Sequence, residues 1–184
     1  MNFLSLNIGL INLNSLLNKV SCVFNLLYSK NIDILAITET WLNSSITNSF
    51  LLIGRDYNLL RVDDPSQARK RGVCLYVKCD ITATIVPANV PNTLAVSLPE
   101  LNTLLVVTYR PPSLPELDND ALMHYIDSIA FGKDILLLGD FNLPTLKWTP
   151  DPTGTQPPLR RLDAAFLDVF TRNALYQAVK EPTH

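Results

Sequence analysis

The chain has 184 residues, of which 47% are hydrophobic and 17% are charged. This composition is typical of a globular protein with a buried core and excludes an intrinsically disordered one. The formal net charge of -2 excludes an overall basic field that would attract nucleic acid, although single loops can still be positive. The length is that of one domain, so we expect a single domain over residues 1–184.

Cysteine usage and the first residues bear on the cellular compartment. Cys22, Cys74 and Cys79 have no metal-site spacing and are typical of reduced thiols in an intracellular protein. No Lys or Arg precedes Lys19, which argues against a signal peptide, and no apolar stretch is long enough to span a bilayer. We therefore expect an intracellular protein, nuclear or cytoplasmic, that is neither secreted nor bound to a membrane.

The first part of the chain predicts a strand, a helix and a second strand. The apolar residues 3–6 predict a strand that ends at Asn7. A helix follows, with Asn14 or Ser15 as its N-cap. The apolar run Ile34–Thr38 predicts the second strand, which ends at Glu39. The apolar face of the helix consists of Leu16, Leu17, Val20, Phe24 and Leu27.

From about residue 57 to residue 109 the pattern changes to short strands. Turns rich in Asn, Pro and Asp separate them, and such short connections favour antiparallel pairing. Pro111 and Pro112 end the last of these strands, because proline has no N–H to continue a ladder. The strands are predicted at residues 72–77, 81–86, 93–98 and 103–109.

The last part of the chain predicts two more helices. One covers residues 115–131 and carries acidic residues at its N-terminal end, where the helix dipole favours them. After a loop at residues 145–158, a second helix begins near Leu159, with Arg160 and Arg161 facing outward. Residues 175–179 predict the start of another strand. Helices around a mixed but largely antiparallel β core predict a layered α/β sandwich.

Four apolar runs end in a polar group, and this repeated layout is the main functional signal. The residues that follow the runs are Asn7, Glu39, Tyr109 and Asp140. Because ligands of α/β sheets gather at the carboxyl ends of strands, we expect these side chains to share one rim. In extended backbone, residues two apart point the same way, so Asp140 and Asn142 should project side by side. A carboxylate next to an amide is suited to handling a phosphate and its attacking water.

The segments around these residues resemble the endonuclease/exonuclease/phosphatase superfamily, with its deoxyribonuclease I-like fold. They resemble in particular the endonuclease domain of non-LTR (LINE-type) retrotransposon polyproteins. The order of the segments matches and covers nearly the whole chain. The segments are Asn7 in the first strand, Thr38-Glu39-Thr40-Trp41-Leu42, Tyr109-Arg110-Pro111-Pro112, Gly139-Asp140-Phe141-Asn142-Leu143-Pro144 and Glu181-Pro182-Thr183-His184.

The resemblance implies a fold and a set of roles. The fold is a four-layer α/β/β/α sandwich with two packed, mixed, largely antiparallel sheets. Glu39 is the expected ligand of Mg²⁺, with Mn²⁺ as the alternative ion, and Asn7 lies beside it. Asp140 is the expected general base, Asn142 orients the scissile phosphate, and Tyr109 stabilises charge on phosphate oxygens. The implied reaction is phosphodiester hydrolysis that nicks one strand of DNA.

The expected partners follow from the charge of the chain and from the resemblance. Because the net charge is -2, we expect DNA to be bound only weakly, through local basic loops, and we expect a monomer. A reverse transcriptase domain is expected in the parent polyprotein. The candidate phosphate contacts are Arg69, Lys70, Arg71, Arg110, Lys147, Arg160 and Arg161.

Two departures from the family pattern affect the expected activity. Gly9 stands where many relatives place an acidic residue, two positions after the first-strand asparagine. The Ser-Asp-His segment that ends the superfamily's domain is absent, and neither His124 nor His184 substitutes for it. We therefore expect a domain that is truncated at its C-terminus, lacks its last strands and has weak or no nuclease activity.

Other interpretations of the same residues remain open. The chain is alternatively a non-catalytic remnant that binds nucleic acid or protein, or a phosphodiesterase or phosphatase of the same fold with another substrate. Asp140 and Asn142 fit an ordinary turn, and Glu39 fits a helix cap. Asn7 fits a structural amide, and Tyr109 fits simple packing at a strand end.

Overall fold

The computed structural model describes residues 5–64, 71–132, 134–146 and 160–179. The chain divides into two compact units. The first comprises Met1–Pro111 and Asp134–Phe141, and the second comprises Pro112–Lys133 and Asn142–His184.

The first unit contains two four-stranded sheets. Sheet A has the strand order β1-β2-β4-β3, in which β1 and β2 are parallel and the other pairs are antiparallel. Sheet B has the order β5-β6-β7-β8, in which only β7 and β8 are parallel. The strands of sheet A are β1 (Ile8–Asn12), β2 (Ile34–Thr38), β3 (Tyr57–Val62) and β4 (Val73–Lys78). Those of sheet B are β5 (Thr84–Val86), β6 (Thr93–Leu98), β7 (Thr103–Tyr109) and β8 (Ile135–Asp140).

The central strands of sheet A, β2 and β4, are buried on both faces, which explains their continuous apolar runs. Successive residues of β2 alternate between two cores: Ile34 faces sheet B, whereas Leu35 faces helix α1 (Val20–Ser29). Tyr76 of β4 lies on the helix side and is fully buried. The core between the sheets includes Leu75, Val77, Leu94, Val96, Leu105 and Val107.

The helices complete both units. The first unit also contains the short helix α2 (Asn48–Leu51). In the second unit, helices α3 (Glu116–Ala130) and α4 (Arg161–Arg172) are joined by ion pairs of Arg161 with Glu116 and of Arg172 with Asp127. Within the described parts of the chain, no helix has the length and apolarity needed to cross a bilayer.

The predicted fold class is confirmed: two mixed, largely antiparallel sheets and helices form an α/β sandwich. The strands at 93–98 and 103–109 have the predicted bounds, and the helix predicted at 115–131 is α3. The single domain and the missing last strands stay predictions.

Three local predictions are wrong. The first strand is Ile8–Asn12 rather than the run that ends at Asn7, because Asn12, not Asn7, pairs with the last residue of β2. Asn14 and Ser15 do not cap α1, since a 3₁₀ turn precedes the helix and Lys19 occupies the N-cap without a side-chain bond. Residues 175–179 form no strand.

Asp33 anchors the end of sheet A at which β2 begins. Its Oδ2 accepts the backbone N–H of Asn7 at 2.7 Å, and its Oδ1 accepts Lys78 Nζ at 2.7 Å. Partial burial by itself would raise the pKa of Asp33, but the hydrogen bonds from Lys78 and Asn7 outweigh it and lower the pKa below its ordinary value. The ionised carboxylate therefore stabilises the folded state.

We predict that Asp33→Asn lowers the free energy of unfolding at neutral pH by about 1 kcal/mol. Because the folded-state pKa is depressed, this contribution is complete above the unfolded-state pKa of about 4 and is lost as the pH falls through the folded-state pKa. Urea unfolding at a series of pH values should therefore show the gap between wild type and variant closing in acid. Asp80→Asn, which removes an exposed carboxylate at the same end of the sheet, is the control. A gap that does not change with pH contradicts the assignment.

Gly139 lies beside Thr108 in the parallel pairing of β7 and β8. A Cβ at this position would lie 2.1 Å from the carbonyl oxygen of Thr108, which is backbone and cannot move aside cheaply. The φ of Gly139 is +154°. Glycine is therefore required immediately before Asp140.

We predict that Gly139→Ala lowers the free energy of unfolding by about 2–4 kcal/mol, because the strand must separate from its neighbour to admit the methyl group. Chemical denaturation measures the loss. Gly132→Ala is the matched control: Gly132 has φ +65°, and no described atom lies within 4 Å of its Cβ position. It should cost about 1–2 kcal/mol from backbone strain alone. Equal losses in the two variants would show that the contact with Thr108 is not the cause.

Candidate active site

The two parallel strand pairs bring four strand ends to one rim. In sheet A, Asn12 at the end of β1 is the register partner of Thr38, the residue before Glu39. In sheet B, Tyr109 at the end of β7 is the register partner of Asp140 at the end of β8. Hydrogen bonds across the sheets then join the two pairs.

Asn12 is the centre of this group. Its Nδ2 donates to Glu39 Oε1 at 2.8 Å and to Asp140 Oδ2 at 3.1 Å. Its Oδ1 accepts the backbone N–H of Asn14 at 3.1 Å. Because a backbone N–H must meet the oxygen, the network fixes the orientation of the amide and directs its NH₂ group to the carboxylates. Two carboxylates, one beside each sheet, thus share one nitrogen.

Glu39 occupies a backbone conformation that non-glycine residues rarely adopt. Its φ is +53°, and that of Trp41 is +57°. The segment is held by backbone bonds from Ser15 N to Glu39 O at 2.8 Å and from Thr40 N to Gly72 O at 3.2 Å. Trp41 Nε1 donates to Glu39 Oε2 at 3.4 Å. Such strained conformations persist only where the surrounding structure imposes them, and they cluster at functional sites.

Tyr109 is buried and contacts the same carboxylate. Burial raises the pKa of its phenol, and a hydrogen bond to Glu39 and the charges of Glu39 and Asp140 raise it further. The Arg71 guanidinium opposes this rise but does not cancel it. The phenol therefore stays protonated at neutral pH and acts as a hydrogen-bond donor.

Arg110 holds the backbone of Asp140 and of the next residue through two hydrogen bonds. The carbonyl oxygen of Asp140 accepts the N–H of Arg110 at 2.9 Å. The Arg110 side chain is buried and its Nη1 donates to the carbonyl oxygen of Phe141 at 3.0 Å. Arg110 therefore supports the turn after β8, and this contact gives a structural role to a residue that the sequence offered as a phosphate contact.

The structure brings together Glu39, Tyr109 and Asp140, but not Asn7. Asn7 lies at the opposite end of β1, where its Nδ2 donates to the carbonyl oxygen of Asn31 at 3.1 Å and its N–H donates to Asp33. The prediction of Asn7 as a site residue is therefore corrected to Asn12. The position two residues further on is Asn14 rather than Gly9, and it is not acidic either.

Asn142 belongs to the second unit and its backbone does not continue β8. The strand ends at Asp140, and the φ of Asn142 is +48°. The prediction that the side chains of Asp140 and Asn142 point the same way assumes extended backbone. The backbone is not extended at Asn142, so that assumption does not hold there.

Two residues of this rim were missed by the sequence analysis. Asn12 had one usable signal, since an apolar run ends at it just before the turn that leads into α1. Asn92 had none beyond its turn composition. It is 1% exposed, its Oδ1 accepts Gly72 N–H at 3.0 Å, and its carbonyl oxygen accepts Tyr109 N–H at 2.9 Å. Asn92 thereby links the sheets beside the site.

The other predicted contacts are dispersed. Arg69, Lys70, Lys147 and His184 lie outside the described residues. In the second unit, Arg160 pairs with Asp163, whose pKa this hydrogen bond lowers, Arg161 pairs with Glu116, and His124 lies in α3. Arg71 lies at the rim and forms an ion pair with Asp64.

The donors at the rim suit a hard divalent cation. Among the described residues, no group of three or more His, Cys, Asp or Glu side chains gathers at one point. Mg²⁺ does not need such a cage, because it keeps several waters and is held by one or two carboxylates together with substrate phosphates. Glu39 and Asp140, held next to each other by Asn12, provide that kind of donor set.

Comparison with solved structures shows the same fold in DNA-processing enzymes. The 3′ phosphatase NExo from Neisseria, described as bound to a product DNA hairpin, has a TM-score of 0.60 and 16% identity over 90% of this chain and 71% of that one. The AP endonuclease LMAP from Leishmania major has a TM-score of 0.64 and 15% identity over 91% of this chain and 66% of that one. An AP endonuclease from Archaeoglobus fulgidus has a TM-score of 0.59 and 15% identity over 91% and 71%.

Such identities establish a common fold, and this chain spans 66–71% of the length of those three structures. Comparison with curated proteins gives no significant match. The family model of the Endonuclease/Exonuclease/phosphatase family matches residues 4–177, almost the entire described chain. The chain therefore belongs to the endonuclease/exonuclease/phosphatase family.

Proposed function

We propose that this protein hydrolyses phosphodiester bonds in DNA with the help of a divalent cation, Mg²⁺ in the first place and Mn²⁺ as the alternative. The observation that carries the proposal is the hydrogen-bonded group of Asn12, Glu39, Tyr109 and Asp140 at one rim. The group combines two carboxylates, an oriented amide and a protonated phenol. A phosphodiester needs these functions: a proton acceptor for water and donors for its non-bridging oxygens.

The cation would be held by Glu39, with water and a phosphate oxygen completing its shell. A bound Mg²⁺ offsets the negative charge that grows on the phosphate during hydrolysis. Asn12 then has a positioning role, because its NH₂ group donates to both carboxylates and its oxygen is engaged by Asn14.

The proton chemistry is assigned to this chain's own side chains. Asp140 accepts a proton from the attacking water, because an ionised carboxylate has oxygens that can take up a proton. Tyr109 donates its hydroxyl proton in a hydrogen bond to a phosphate oxygen, which requires the bond to Glu39 to shift when substrate binds. Asn142 remains a candidate for orienting the phosphate.

DNA as the substrate is supported by the family and by the solved relatives, whose descriptions include AP endonucleases and a phosphatase bound to a DNA hairpin. Within this family we assign the chain to the retroelement type. The segments Thr38-Glu39-Thr40-Trp41 and Tyr109-Arg110-Pro111-Pro112 support that assignment by their resemblance. A reverse transcriptase partner in a parent polyprotein is part of the same proposal.

Turnover is expected to be slow. The chain has two histidines, His124 and His184, and the first unit contains neither. The described residues of the first unit therefore supply no imidazole to protonate the leaving oxygen or to activate the water. One positioned acid–base group typically contributes about 10²–10⁴-fold in rate.

We predict that the chain nicks supercoiled plasmid slowly in the presence of Mg²⁺ and that Asp140→Asn reduces this rate by about 10²–10⁴-fold, because the proton acceptor is removed while the shape is kept. Gel quantification of relaxed plasmid measures the rate. Asp80→Asn, at the opposite end of sheet A, changes the net charge equally and should leave the rate unchanged. If the wild type binds DNA but does not cleave it, or if Asp140→Asn nicks as fast, the hydrolase proposal is wrong and a binding remnant is favoured.

We also predict that millimolar Mg²⁺ raises the melting temperature and that Glu39→Gln abolishes the shift. A ligand that binds only the folded form must stabilise it, by about 2.7 kcal/mol at a hundredfold excess over Kd. Glutamine keeps the size of Glu39, removes its charge and replaces one of the two acceptor oxygens, which receive Asn12 and Trp41, with an NH₂ group. Thermal melts in EDTA and in Mg²⁺ provide the readout. Asp33→Asn, away from the rim, should keep the shift, and an unchanged shift in Glu39→Gln would place the cation elsewhere.

A further inference from the structure

Arg71 lies at the rim because of the way the strands are paired. β4 begins at Val73, which is the register partner of Thr38, so Arg71 and Gly72, just before β4, lie where β2 ends. Trp41 N–H donates to the carbonyl oxygen of Arg71 at 2.9 Å. The backbone of Arg71 is therefore bonded directly to the segment that carries Glu39.

The residue that follows is tied to the other sheet. Gly72 N–H donates to Asn92 Oδ1 at 3.0 Å, and Tyr109 N–H donates to the carbonyl oxygen of Asn92 at 2.9 Å. Gly72 has φ +91°, and a Cβ there would lie 2.6 Å from Thr40 Oγ1. Arg71 and Gly72 are thus bonded to both halves of the site through their backbone, which fixes where the Arg71 side chain begins.

The side chain of Arg71 is positioned by a buried acid. Its Nη1 lies 3.3 Å from Asp64 Oδ2, and the side chains of Arg71 and Asp64 are 29% and 5% exposed. The guanidinium has a planar fork of N–H groups. Since Asp64 is bound through Nη1, the N–H groups of Nε and Nη2 can bind a second anion. Its charge also reaches the site, since it acts on the phenol of Tyr109.

A cation is needed here because the rim itself is acidic. Glu39 and Asp140 repel a phosphodiester, and two other basic side chains that the structure describes near the rim bond to the protein's own carbonyl groups. Lys19 Nζ donates to the carbonyl oxygen of Leu13, and the buried Arg110 donates to that of Phe141. Arg71 combines a partly exposed guanidinium with a partner that holds it in place.

We propose that Arg71, held by Asp64, binds non-bridging oxygens of a substrate phosphate next to Glu39 and Tyr109. This inference rests on the proposed function, since it assigns the phosphate-binding cation of that same site. Asp64 is a positioning residue in this arrangement. The competing interpretation is that the ion pair only fixes the connection between β3 and β4.

The test is the salt dependence of binding to a fluorescently labelled DNA duplex, measured by anisotropy in EDTA so that no cleavage occurs. Each phosphate contact contributes about −0.9 to the slope of log K against log salt concentration. Arg71→Ala should reduce the magnitude of that slope by about 0.9 and weaken binding roughly tenfold at low salt. Arg71→Lys should keep the slope, because it keeps the charge, and lose part of the affinity, because it loses the fork.

The control is Arg55→Ala. Arg55 is exposed and lies just before β3, at the opposite end of sheet A, so its removal should leave the slope unchanged. An unchanged slope in Arg71→Ala, an equal change in Arg55→Ala, or a wild type that does not bind the duplex overturns the proposal. If Arg71→Ala does not fold, Arg71→Gln replaces it under the same criteria.

The same experiment separates this inference from the proposed function. Binding in EDTA does not depend on hydrolysis, so a slope that falls in a protein that never nicks plasmid supports Arg71 and rejects the hydrolase. A wild type that nicks, with an unchanged slope in the variant, supports the hydrolase and rejects Arg71. A melting temperature that falls in Arg71→Ala with an unchanged slope identifies the ion pair as purely structural.

Discussion

The rim depends on one amide group. Asn12 donates from a single nitrogen to Glu39 and Asp140, so it keeps two like charges close in a protein that would otherwise separate them. The orientation of that amide depends in turn on the backbone N–H of Asn14. Because Glu39 and Asp140 come from different sheets, this short network also forms a polar link between the two layers at the site.

Parallel pairing explains why the site exists at this rim at all. Most neighbours in both sheets are antiparallel, but β1 with β2 and β7 with β8 run the same way. Each parallel pair delivers two adjacent carboxyl ends, and the packing of the sheets sets the two pairs against each other. The left-handed conformation of Glu39 and the glycine before Asp140 then adjust the two acids locally.

Much of this was predictable where the signal is local. Ile34–Thr38 and Thr103–Tyr109 are continuous apolar runs with polar ends, so their bounds and the residues after them could be predicted. Asn7 and Asn12 both follow apolar residues, and only the pairing with β2 decides between them. Asn92 looks like a turn residue, because its link between Gly72 and Tyr109 is made by chain segments distant in sequence. Strand register and tertiary contacts of that kind cannot be predicted from a local sequence pattern.

The bridging position of Asn92 has a consequence for how this protein tolerates change. Its side chain bonds to Gly72 beside sheet A, and its carbonyl group bonds to Tyr109 of sheet B. A change in the distance between the sheets would therefore also change the distances between the reactive groups. Substitutions that change the volume of core side chains further from the rim, at Leu98 or Leu105 for example, would misalign the reactive groups. The core residues between the sheets should therefore be substituted more slowly in evolution than equally buried residues elsewhere.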